Sequence, residues 1–336
     1  MSAMSKAACI GGGVIGAGWV ARLILNGVDV ALFDPAPEAD RIVNEVLNNA
    51  RRAYRQISPD RLPAEGRLTF AGSIADAVKD ADIVQESVPE RLDLKHKVLA
   101  EIDAHAPAEA VIGSSTSGIK PTEMQAAMGH PERLVVAHPF NPVYLLPLVE
   151  IVGGEKTSQD TIARARDAYA SIGMKPVVIR KEIEAFVGDR LLEALWREAL
   201  WLINDDITTV EELDDIIRYS FGLRWAQMGL FQTYRIAGGE AGMRHFMEQF
   251  GPCLKWPWTK LTDVPELTGE LIDKIAAQSD EQAGGLSIRE LERIRDDNLV
   301  AIMAALGSSR DGEGWGAGKL HKDYAARLAA RAANQN

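Results

Sequence analysis

The fold is decided by residues 7–34, which read AACIGGGVIGAGWVARLILNGVDVALFD. An apolar run at 7–10 predicts a buried strand, and the segment at 14–26 predicts a helix. The apolar stretch at 28–33 predicts a second strand, which ends at Asp34. A strand, a glycine-rich turn, a helix and another strand in this order predict a βαβ unit.

The turn between the first strand and the helix has glycines in the pattern G-x-G-x-x-G. In this pattern Gly11 allows the tight turn, Gly13 lets the backbone approach a pyrophosphate, and Gly16 lets the helix pack on the strand. The phosphates would lie against the free N–H groups at the start of the helix, at Val14 and Ile15. Glycine-rich turns often serve only the backbone, but this position between a strand and a helix predicts a dinucleotide-binding site.

Asp34 selects among the possible dinucleotides. At the end of the second predicted strand, its carboxylate is placed to accept hydrogen bonds from the 2′- and 3′-hydroxyl groups of an adenosine ribose. A carboxylate at this position would repel a 2′-phosphate, and no arginine follows until Arg41. The sequence therefore favours NAD over NADP as the cofactor.

Length and composition limit the classes of protein to which the chain can belong. With 336 residues it is long enough for two domains, and its 46% hydrophobic and 25% charged residues are typical of a soluble globular protein. The net charge of -11 argues against nucleic acids and anionic membranes as partners. We find neither a signal peptide nor an apolar run long enough to cross a bilayer, so we expect a cytoplasmic protein.

The sequence shows no pattern of metal or disulfide chemistry. Its two cysteines, Cys9 and Cys253, lie far apart and form neither a disulfide framework nor a zinc-ligand pair. We expect both to be small buried hydrophobic residues. Because no group of histidine, cysteine and carboxylate residues has the spacing of metal ligands, we expect no metal site.

Strand and helix patterns alternate along the first half of the sequence. Further strands are predicted at 68–70, 82–86, 110–113, 134–137, 148–152 and 176–179. This alternation predicts an α/β fold with a mostly parallel, doubly wound sheet. Ligands of such sheets bind beyond the carboxyl ends of the strands, so Asp34, 86–90 and 114–117 should lie at one edge.

The second half of the sequence predicts helices only. Strand patterns end at about Glu184, and helical patterns recur up to residue 306. A glycine-rich stretch at 308–319 predicts a flexible segment. We therefore divide the chain into a dinucleotide-binding domain at 1–183 and an all-helical C-terminal domain at 184–336 with a flexible C-terminal tail.

Polar residues suited to the oxidation of a secondary alcohol follow the predicted strand at 134–137. His138 could take the hydroxyl proton as a hydride leaves, because histidine titrates near neutral pH. Glu150, on the next predicted strand, could hold the imidazole in one tautomer and stabilise its charged form. Ser117 could bind the reacting oxygen. The spacing alone fits equally well a histidine that only forms hydrogen bonds in a turn before a proline.

Several motifs resemble the L-3-hydroxyacyl-CoA dehydrogenase superfamily. Besides the strand-end Asp34, they are IGGGVIGAGW at 10–19, ESVPE at 86–90, SSTSG at 114–118 and HPFNPVYLLPLVEIV at 138–152. The resemblance covers the whole chain. It implies a Rossmann-type domain that binds NAD, followed by an all-helical domain that forms a homodimer.

The resemblance also implies roles for particular residues. His138 would be the general base, Glu150 its partner and Ser117 a ligand of the substrate oxygen. The further residues implied to contact NAD are Asp34, Glu90 and Lys95, with Ser115 and Asn141 near the nicotinamide.

Several stretches of the second half look most like the carnitine 3-dehydrogenase branch of the superfamily. They are DRLLEALWREAL at 189–200, GLRWAQMG at 222–229, AGGEAGMRHFMEQFGP at 237–252 and SIRELERIRDDNLVAIM at 287–303. This resemblance implies NAD-dependent oxidation of the 3-hydroxyl group of L-carnitine to 3-dehydrocarnitine. The sequence leaves three alternatives open: a short-chain L-3-hydroxyacyl-CoA dehydrogenase, an L-gulonate 3-dehydrogenase, and a non-catalytic NAD-binding protein like a crystallin relative in this superfamily.

One residue departs from the pattern of the acyl-CoA enzymes, in which an asparagine precedes Arg-Leu-Leu. This chain has Asp189 there. An asparagine amide can donate a hydrogen bond to a carbonyl group, whereas an ionised aspartate cannot, although it can attract a cation. Asp189 therefore suits a quaternary ammonium substrate, but it could equally pair with Arg190 or Lys181.

Aromatic side chains could bind the same cation. The faces of aromatic rings attract cations by about 0.5–2 kcal/mol. Phe140 is the first candidate for the substrate site because it neighbours His138, and Phe221 is another. Ser220 and Phe221 are bulkier than we expect of the carnitine branch before GLRW, so the substrate itself stays open.

Overall fold

A computed structural model describes residues 4–58, 62–237, 240, 242–252, 257, 259, 265–266 and 268–334 of the chain. The chain divides into two compact units. The sheet unit is made of Met1–Asp189 and Arg295–Asn336, and the helical unit of Arg190–Ile294. The prediction for Cys253 falls outside the described residues, whereas Cys9 is free and buried.

An eight-stranded sheet with the order β3-β2-β1-β4-β5-β6-β7-β8 forms the framework of the sheet unit. Its strands are β1 (Lys6–Ile10), β2 (Asp29–Phe33), β3 (Leu68–Phe70), β4 (Ile83–Glu86), β5 (Val111–Ser114), β6 (Leu134–Pro139), β7 (Leu148–Gly153) and β8 (Lys175–Ile179). Neighbouring strands run parallel except β6 and β7, which pair antiparallel. The predicted α/β fold with a mostly parallel sheet is therefore confirmed.

Both faces of the sheet are buried, because successive residues of a strand point to opposite sides. In β1, Ala7 and Cys9 belong to one apolar cluster, and Ala8 and Ile10 belong to the other. The first face is covered by α1 (Val14–Leu25), α2 (Ala39–Ile57) and α6 (Gln159–Ser171), and the second by α3 (Ile74–Val78), α4 (Leu92–His105) and α5 (Pro121–Gln125). The sequence patterns did not predict the short helix α5.

The last helix of the chain also packs on the sheet unit. The predicted flexible C-terminal tail is here mostly α13 (Gly316–Ala333), in which Tyr324 and Leu328 are buried in the first apolar cluster. The Tyr324 hydroxyl donates to the hydroxyl of Tyr54 at 2.8 Å and accepts from Nδ2 of Asn26 at 2.6 Å. These contacts, and not the glycine content before the helix, decide where the C-terminal residues lie. The compact units therefore divide the chain differently from the predicted domains 1–183 and 184–336.

The described part of the helical unit contains helices and no strand. Its elements include parts of α7 (Gly188–Asn204) and α12 (Ile288–Gly307), together with α8 (Val210–Ile216), α9 (Gly222–Ala237), α10 (Gly242–Phe250) and α11 (Gly269–Ala283). A π-helical stretch lies between α8 and α9, and the backbone of α9 is broken at Gly229, where φ is 73°. None of the helices described here is both long and apolar enough to cross a lipid bilayer.

The helical pattern of the second half of the sequence begins at Glu184, but α7 starts later in the structure. Ala185 and Phe186 have left-handed backbone conformations, with φ values of 58° and 49°, so they cannot continue into a right-handed helix. The helix begins two residues later, at Gly188. This late start puts Asp189 in its first turn.

Candidate active site

The antiparallel pairing of β6 and β7 brings His138 opposite Glu150. Directly opposed residues of two strands project from the same face of the sheet, so their side chains can meet. Nδ1 of His138 lies 2.9 Å from Oε2 of Glu150, and the two residues are 4% and 3% exposed. Because a carboxylate only accepts hydrogen bonds, this pairing puts a proton on Nδ1 and leaves Nε2 to accept one.

The other oxygen of Glu150 binds the start of α7. Its Oε1 accepts hydrogen bonds from the backbone N–H groups of Val187 at 3.2 Å and Gly188 at 3.0 Å. A negative charge is stabilised at the N-terminus of a helix, where backbone N–H groups have no partner within the helix. Glu150 therefore orients the imidazole and fixes the first turn of α7 with one side chain.

Asp189, in that first turn, lies beside the second ring nitrogen of the histidine. Its Oδ2 is 3.6 Å from Nε2 of His138, and its side chain is 24% exposed. The two ring nitrogens of His138 therefore each have a carboxylate nearby: Glu150 at Nδ1 and Asp189 at Nε2. A positive charge that arises on the imidazole, or arrives with a substrate, would be stabilised here.

Two phenylalanine rings pack against His138. The ring centroid of Phe140 is 4.9 Å from that of the imidazole, and the centroid of Phe186 is 5.6 Å away. A Cβ atom at Gly188 would lie only 2.2 Å from Cζ of Phe140, so the ring lies directly on the start of α7. Sequence reasoning selected Phe140 but missed Phe186, which has no motif of its own. Phe221 belongs to the helical unit, and its role stays a prediction.

The serine-rich segment follows β5, whose neighbours on either side are β4 and β6. The Ser115 hydroxyl accepts from Nε1 of Trp19 at 3.0 Å and from Nε2 of Gln85 at 2.7 Å, and it lies 2.9 Å from the hydroxyl of Ser87. It is thus already surrounded by protein partners. Ser117, by contrast, is exposed. Because β4, β5 and β6 run parallel, their carboxyl ends share one edge of the sheet, as predicted from the sequence.

The glycine-rich turn fits a dinucleotide. Gly11 has a φ of +101°, and a Cβ at Gly16 would lie 1.9 Å from the carbonyl oxygen of Gly11, so neither position accepts a larger side chain. A Cβ at Gly13 would meet nothing within 4 Å, which leaves open space beside the backbone. No side chain caps α1, and Val14 in its first turn, next to Ile15, is 58% exposed. The N–H groups at the start of α1 can therefore face a pyrophosphate.

Asp34 lies directly beside this turn. Its Oδ2 accepts from the backbone N–H of Gly12 at 2.5 Å, and its Oδ1 accepts from that of Ala36 at 2.7 Å. These two bonds hold the carboxylate at the end of β2, where a ribose hydroxyl pair of NAD would lie. Among the described residues, no group of three or more histidine, cysteine and carboxylate side chains could hold a metal ion.

Two other residues implied to contact NAD lie in different surroundings. Lys95 is 1% exposed and donates to Oε1 of Glu86 at 2.9 Å. Asn141 is exposed in the segment after β6. The cofactor contacts of these residues, like the catalytic roles, stay predictions.

Sequence reasoning missed Arg22, which holds the segment that follows His138. This arginine is 1% exposed in α1, and its guanidinium donates to the carbonyl oxygens of Val143 at 2.7 Å, Ile172 at 3.1 Å and Leu146 at 3.2 Å. One signal could have revealed it: an arginine within the apolar run WVARLIL must find buried partners if the helix is enclosed. Arg22 thus connects the helix of the glycine-rich turn to the segment that follows His138.

Comparisons with known proteins show the family to which the chain belongs. The model of the 3-hydroxyacyl-CoA dehydrogenase NAD-binding domain matches residues 6–183, and the model of the C-terminal domain of that family matches residues 186–268. Among solved structures, an NAD⁺-dependent dismutase, 5-formyl-3-hydroxy-2-methylpyridine 4-carboxylic acid 5-dehydrogenase, has a TM-score of 0.76 at 30% identity. The match covers 91% of this chain and 99% of that one.

Two relatives are closer in sequence. The L-carnitine dehydrogenase of Mesorhizobium japonicum is 75% identical over 336 residues, which cover 100% of this chain and 92% of that protein. A protein of a Rhizobium species named L-carnitine dehydrogenase/betainyl-CoA thioesterase is 67% identical, over 99% of this chain and 67% of that protein. The chain therefore belongs to the 3-hydroxyacyl-CoA dehydrogenase family, in its L-carnitine dehydrogenase branch.

Proposed function

We propose that this protein oxidises the 3-hydroxyl group of L-carnitine to 3-dehydrocarnitine with NAD⁺. The observation that carries the proposal is the buried His138, with Glu150 on Nδ1 and a second carboxylate, Asp189, beside Nε2. Glu150 can support His138 as a general base, and Asp189 suits a substrate with a permanent positive charge. The names of the two bacterial relatives support the same substrate.

In this reaction His138 is the general base. Its Nε2 accepts the proton of the 3-hydroxyl group, and Glu150 stabilises the imidazolium that results. The Ser117 hydroxyl donates to the substrate oxygen. NAD⁺ would be held by the turn at 11–16 and by Asp34, with Ser115 and Asn141 near the nicotinamide, and when bound it would supply the acceptor for the hydride that leaves C3. The C–H and O–H bonds of the alcohol break, a carbonyl group forms, and the proton ends on Nε2.

Asp189 and Phe140 bind the trimethylammonium group. One methylene separates the quaternary nitrogen of carnitine from the carbinol carbon, so bonds of about 1.5 Å place that nitrogen within about 4 Å of the reacting oxygen. The carboxylate of Asp189 is 3.6 Å from Nε2 of His138. A substrate oxygen that binds Nε2 is therefore near Asp189, and the quaternary nitrogen of the same substrate is near it as well. The ring of Phe140, which packs on His138, offers an aromatic face to the cation.

A substrate panel tests the proposal. We expect NAD⁺-dependent turnover of L-carnitine and little turnover of L-gulonate or, with NADH, of acetoacetyl-CoA. Turnover of the CoA ester alone would identify a short-chain acyl-CoA enzyme, and turnover of gulonate alone would identify the sugar-acid enzyme. NADH binding without turnover of any of the three would indicate a non-catalytic, crystallin-like protein.

We also propose that the protein is a homodimer. In the helical unit, Phe231, Tyr219 and Ile288 are 75%, 73% and 72% exposed, which is unusual for such large apolar side chains. A second copy of the same chain would bury them in a symmetric interface. Light scattering coupled to size exclusion should give twice the monomer mass of 36.6 kDa, whereas the monomer mass would contradict the proposal.

A cytoplasmic location completes the proposal, because the reaction depends on the NAD pool of the cell. Carnitine-dependent reduction of NAD⁺ should therefore appear in the cytosolic fraction after lysis. Its release by osmotic shock alone would contradict this location.

A further inference from the structure

The structure assigns Glu90 and Lys95 to the placement of Ser117 on the substrate side of the site. The family resemblance implies only that these two residues contact NAD. We infer that they are positioning residues: Lys95 holds Glu90, and Glu90 holds the turn that carries Ser117. The inference rests on the proposed role of Ser117 in binding the reacting oxygen.

Lys95 lies inside the protein with acidic and carbonyl partners. Its Nζ donates to Oε1 of Glu86 at 2.9 Å and to the carbonyl oxygen of Val88 at 3.2 Å, and it lies 3.4 Å from Oε2 of Glu90. Its side chain is 1% exposed and that of Glu86 is 0% exposed. A lysine enclosed in this way has no surface left to contact a nucleotide, so its charge acts on the two glutamates.

Glu90 binds the serine-rich turn with its other oxygen. Its Oε1 accepts from the backbone N–H groups of Ser117 and Gly118, both at 3.1 Å, and from the hydroxyl of Thr116. Burial opposes the ionisation of Glu90, but the hydrogen bond from Thr116 and the charge of Lys95 outweigh it and lower the pKa of Glu90. Glu90 is therefore a carboxylate that accepts hydrogen bonds from three consecutive residues.

Thr116 and Ser114 complete the support of the turn. The Thr116 hydroxyl oxygen accepts from the backbone N–H of Ile119 at 3.0 Å, and the Ser114 hydroxyl donates to Oε2 of Glu86 at 2.5 Å. The turn is thus bound on both sides of Ser117, while Ser117 itself is exposed at the edge where the strands end. Its hydroxyl is placed by the backbone that Glu90 holds.

This arrangement predicts that the loss of Glu90 affects turnover of carnitine and not the binding of NADH. A displacement of a catalytic group by about 1 Å can lower the rate by roughly 100-fold. Without Glu90, the turn loses the acceptor of two backbone bonds and Ser117 is misplaced. The efficiency with carnitine should therefore fall, while the affinity for NADH should change little.

A double-mutant cycle between Glu90 and Ser117 tests the inference. Glu90→Ala should lower kcat/KM for carnitine by roughly 10–100-fold. In a Ser117→Ala background the same change should lower it by less than about 3-fold, because the group that Glu90 places is already absent. The dissociation constant of NADH, measured by its fluorescence, should stay within about 3-fold in Glu90→Ala.

Three further variants separate this role from a merely structural one. Glu90→Gln keeps an oxygen that accepts from the backbone of 117 and 118, so it should retain more activity than Glu90→Ala. Glu101→Ala, at an exposed position of α4, the helix that carries Lys95, should leave every constant unchanged. The double variant Lys95→Met/Glu86→Gln removes the lysine without leaving a buried carboxylate unpaired. If it melts near the wild-type temperature, its kcat/KM for carnitine should also be lower than that of the wild type.

Hydrogen–deuterium exchange gives a readout that does not depend on turnover. In Glu90→Ala, the peptide that contains 116–119 should exchange faster, and the peptide that contains 11–16 should not change. Additive losses in the cycle, unchanged exchange at 116–119, or an NADH affinity that falls as much as kcat/KM would overturn the inference. A wild-type enzyme that does not oxidise carnitine would instead contradict the proposed function, and the exchange result would still decide this one.

Discussion

The sheet unit and the helical unit differ most in where their apolar side chains lie. The sheet unit encloses large apolar side chains such as those of Trp19, Tyr54 and Phe186, which are all 0% exposed. In the described part of the helical unit, the buried hydrophobic residues are Leu200, Ile203 and Leu271. Those that are more than half exposed there are Leu191, Leu192, Trp196, Ile207, Ile216, Tyr219, Leu223, Phe231, Ile236, Met247, Ile272 and Ile288.

The two units therefore differ in how they use their apolar side chains. Burial of apolar surface contributes roughly 25 cal/mol per Å² and is the main stabilising term in folding and association. The sheet unit obtains this stabilisation from its own core, so it can hold buried charges such as those of Glu150 and Lys95 in fixed positions. The helical unit leaves its apolar surface available for a partner, which we propose is a second copy of the chain.

The largest expected effect comes from His138, the proposed base in the sheet unit. His138→Ala should lower kcat by about 10²–10⁴-fold, the usual contribution of a positioned acid–base group, and should leave NADH binding and the dimer intact. Steady-state kinetics with carnitine and an NADH titration measure both. His105→Ala, at an exposed end of α4, is the control. Near-normal turnover without His138 would remove it from the mechanism.

The loss of a buried ion pair in the sheet unit should lower the free energy of unfolding more than the loss of an exposed ion pair in the helical unit. Asp103 and Arg133 of the sheet unit are paired at 2.8 Å with side chains 5% and 7% exposed, and Asp103→Ala should cost about 3–5 kcal/mol because it leaves a buried charge unpaired. In the helical unit, Asp215→Ala breaks an exposed pair with Arg218 and should leave the unfolding free energy nearly unchanged. Urea unfolding of the two variants gives the comparison, and equal losses would contradict it.

The same pair gives the protein a dependence on pH. Burial opposes the ionisation of Asp103, but hydrogen bonds from Arg133 and from the backbone of His130 and Gly129 lower the pKa of Asp103. A lowered pKa in the folded state means that the stabilisation is present above the unfolded value of about 4 and is lost as the pH falls below it. The wild type should therefore lose stability in that acid range more steeply than Asp103→Ala. Parallel pH profiles would assign the loss to other groups.

Charge placed on the apolar surface of the helical unit should weaken the proposed dimer. Phe231→Glu puts a carboxylate at a position that is 75% exposed in the single chain, and we expect the dimer dissociation constant to rise by roughly 100-fold, as for an interface hot spot. Phe70→Glu makes the same change at an exposed position of β3 in the sheet unit and should leave the dimer intact. Sedimentation velocity over a range of concentrations measures both. An equal rise of the dimer dissociation constant in both variants would contradict an interface formed by the helical unit.

The smallest expected effect concerns the choice of substrate. Asp189→Asn should lower the preference for L-carnitine over 3-hydroxy-5,5-dimethylhexanoate, in which a carbon atom replaces the quaternary nitrogen, by about 10-fold, because a single charge–charge contact is lost. Asp189→Glu keeps the charge and should keep more of the preference. The ratio of the two kcat/KM values is the measurement, and an unchanged ratio would show that the cation is bound elsewhere.

Sequence reasoning reached the parts of the site whose positions depend on nearby residues. The turn at 11–16 and Asp34 could be placed because one strand, one helix and the next strand follow each other directly. His138 and Glu150 could be proposed as a pair because His138 directly follows one predicted strand and Glu150 lies in the next. The register of β6 and β7, which puts them opposite each other, came only from the structure.

Local pattern and chemical type therefore determined the α/β fold, the glycine-rich turn and the choice of a histidine with a carboxylate partner. Only the tertiary structure decided that Lys95 is enclosed, that Phe186 packs on the imidazole and that α13 joins the sheet unit. The physical reason is distance along the chain: the bond between Asn26 and Tyr324 joins residues near opposite ends of the sequence. No periodicity in either segment shows that the other will be its partner, because such contacts form only when the whole core is packed.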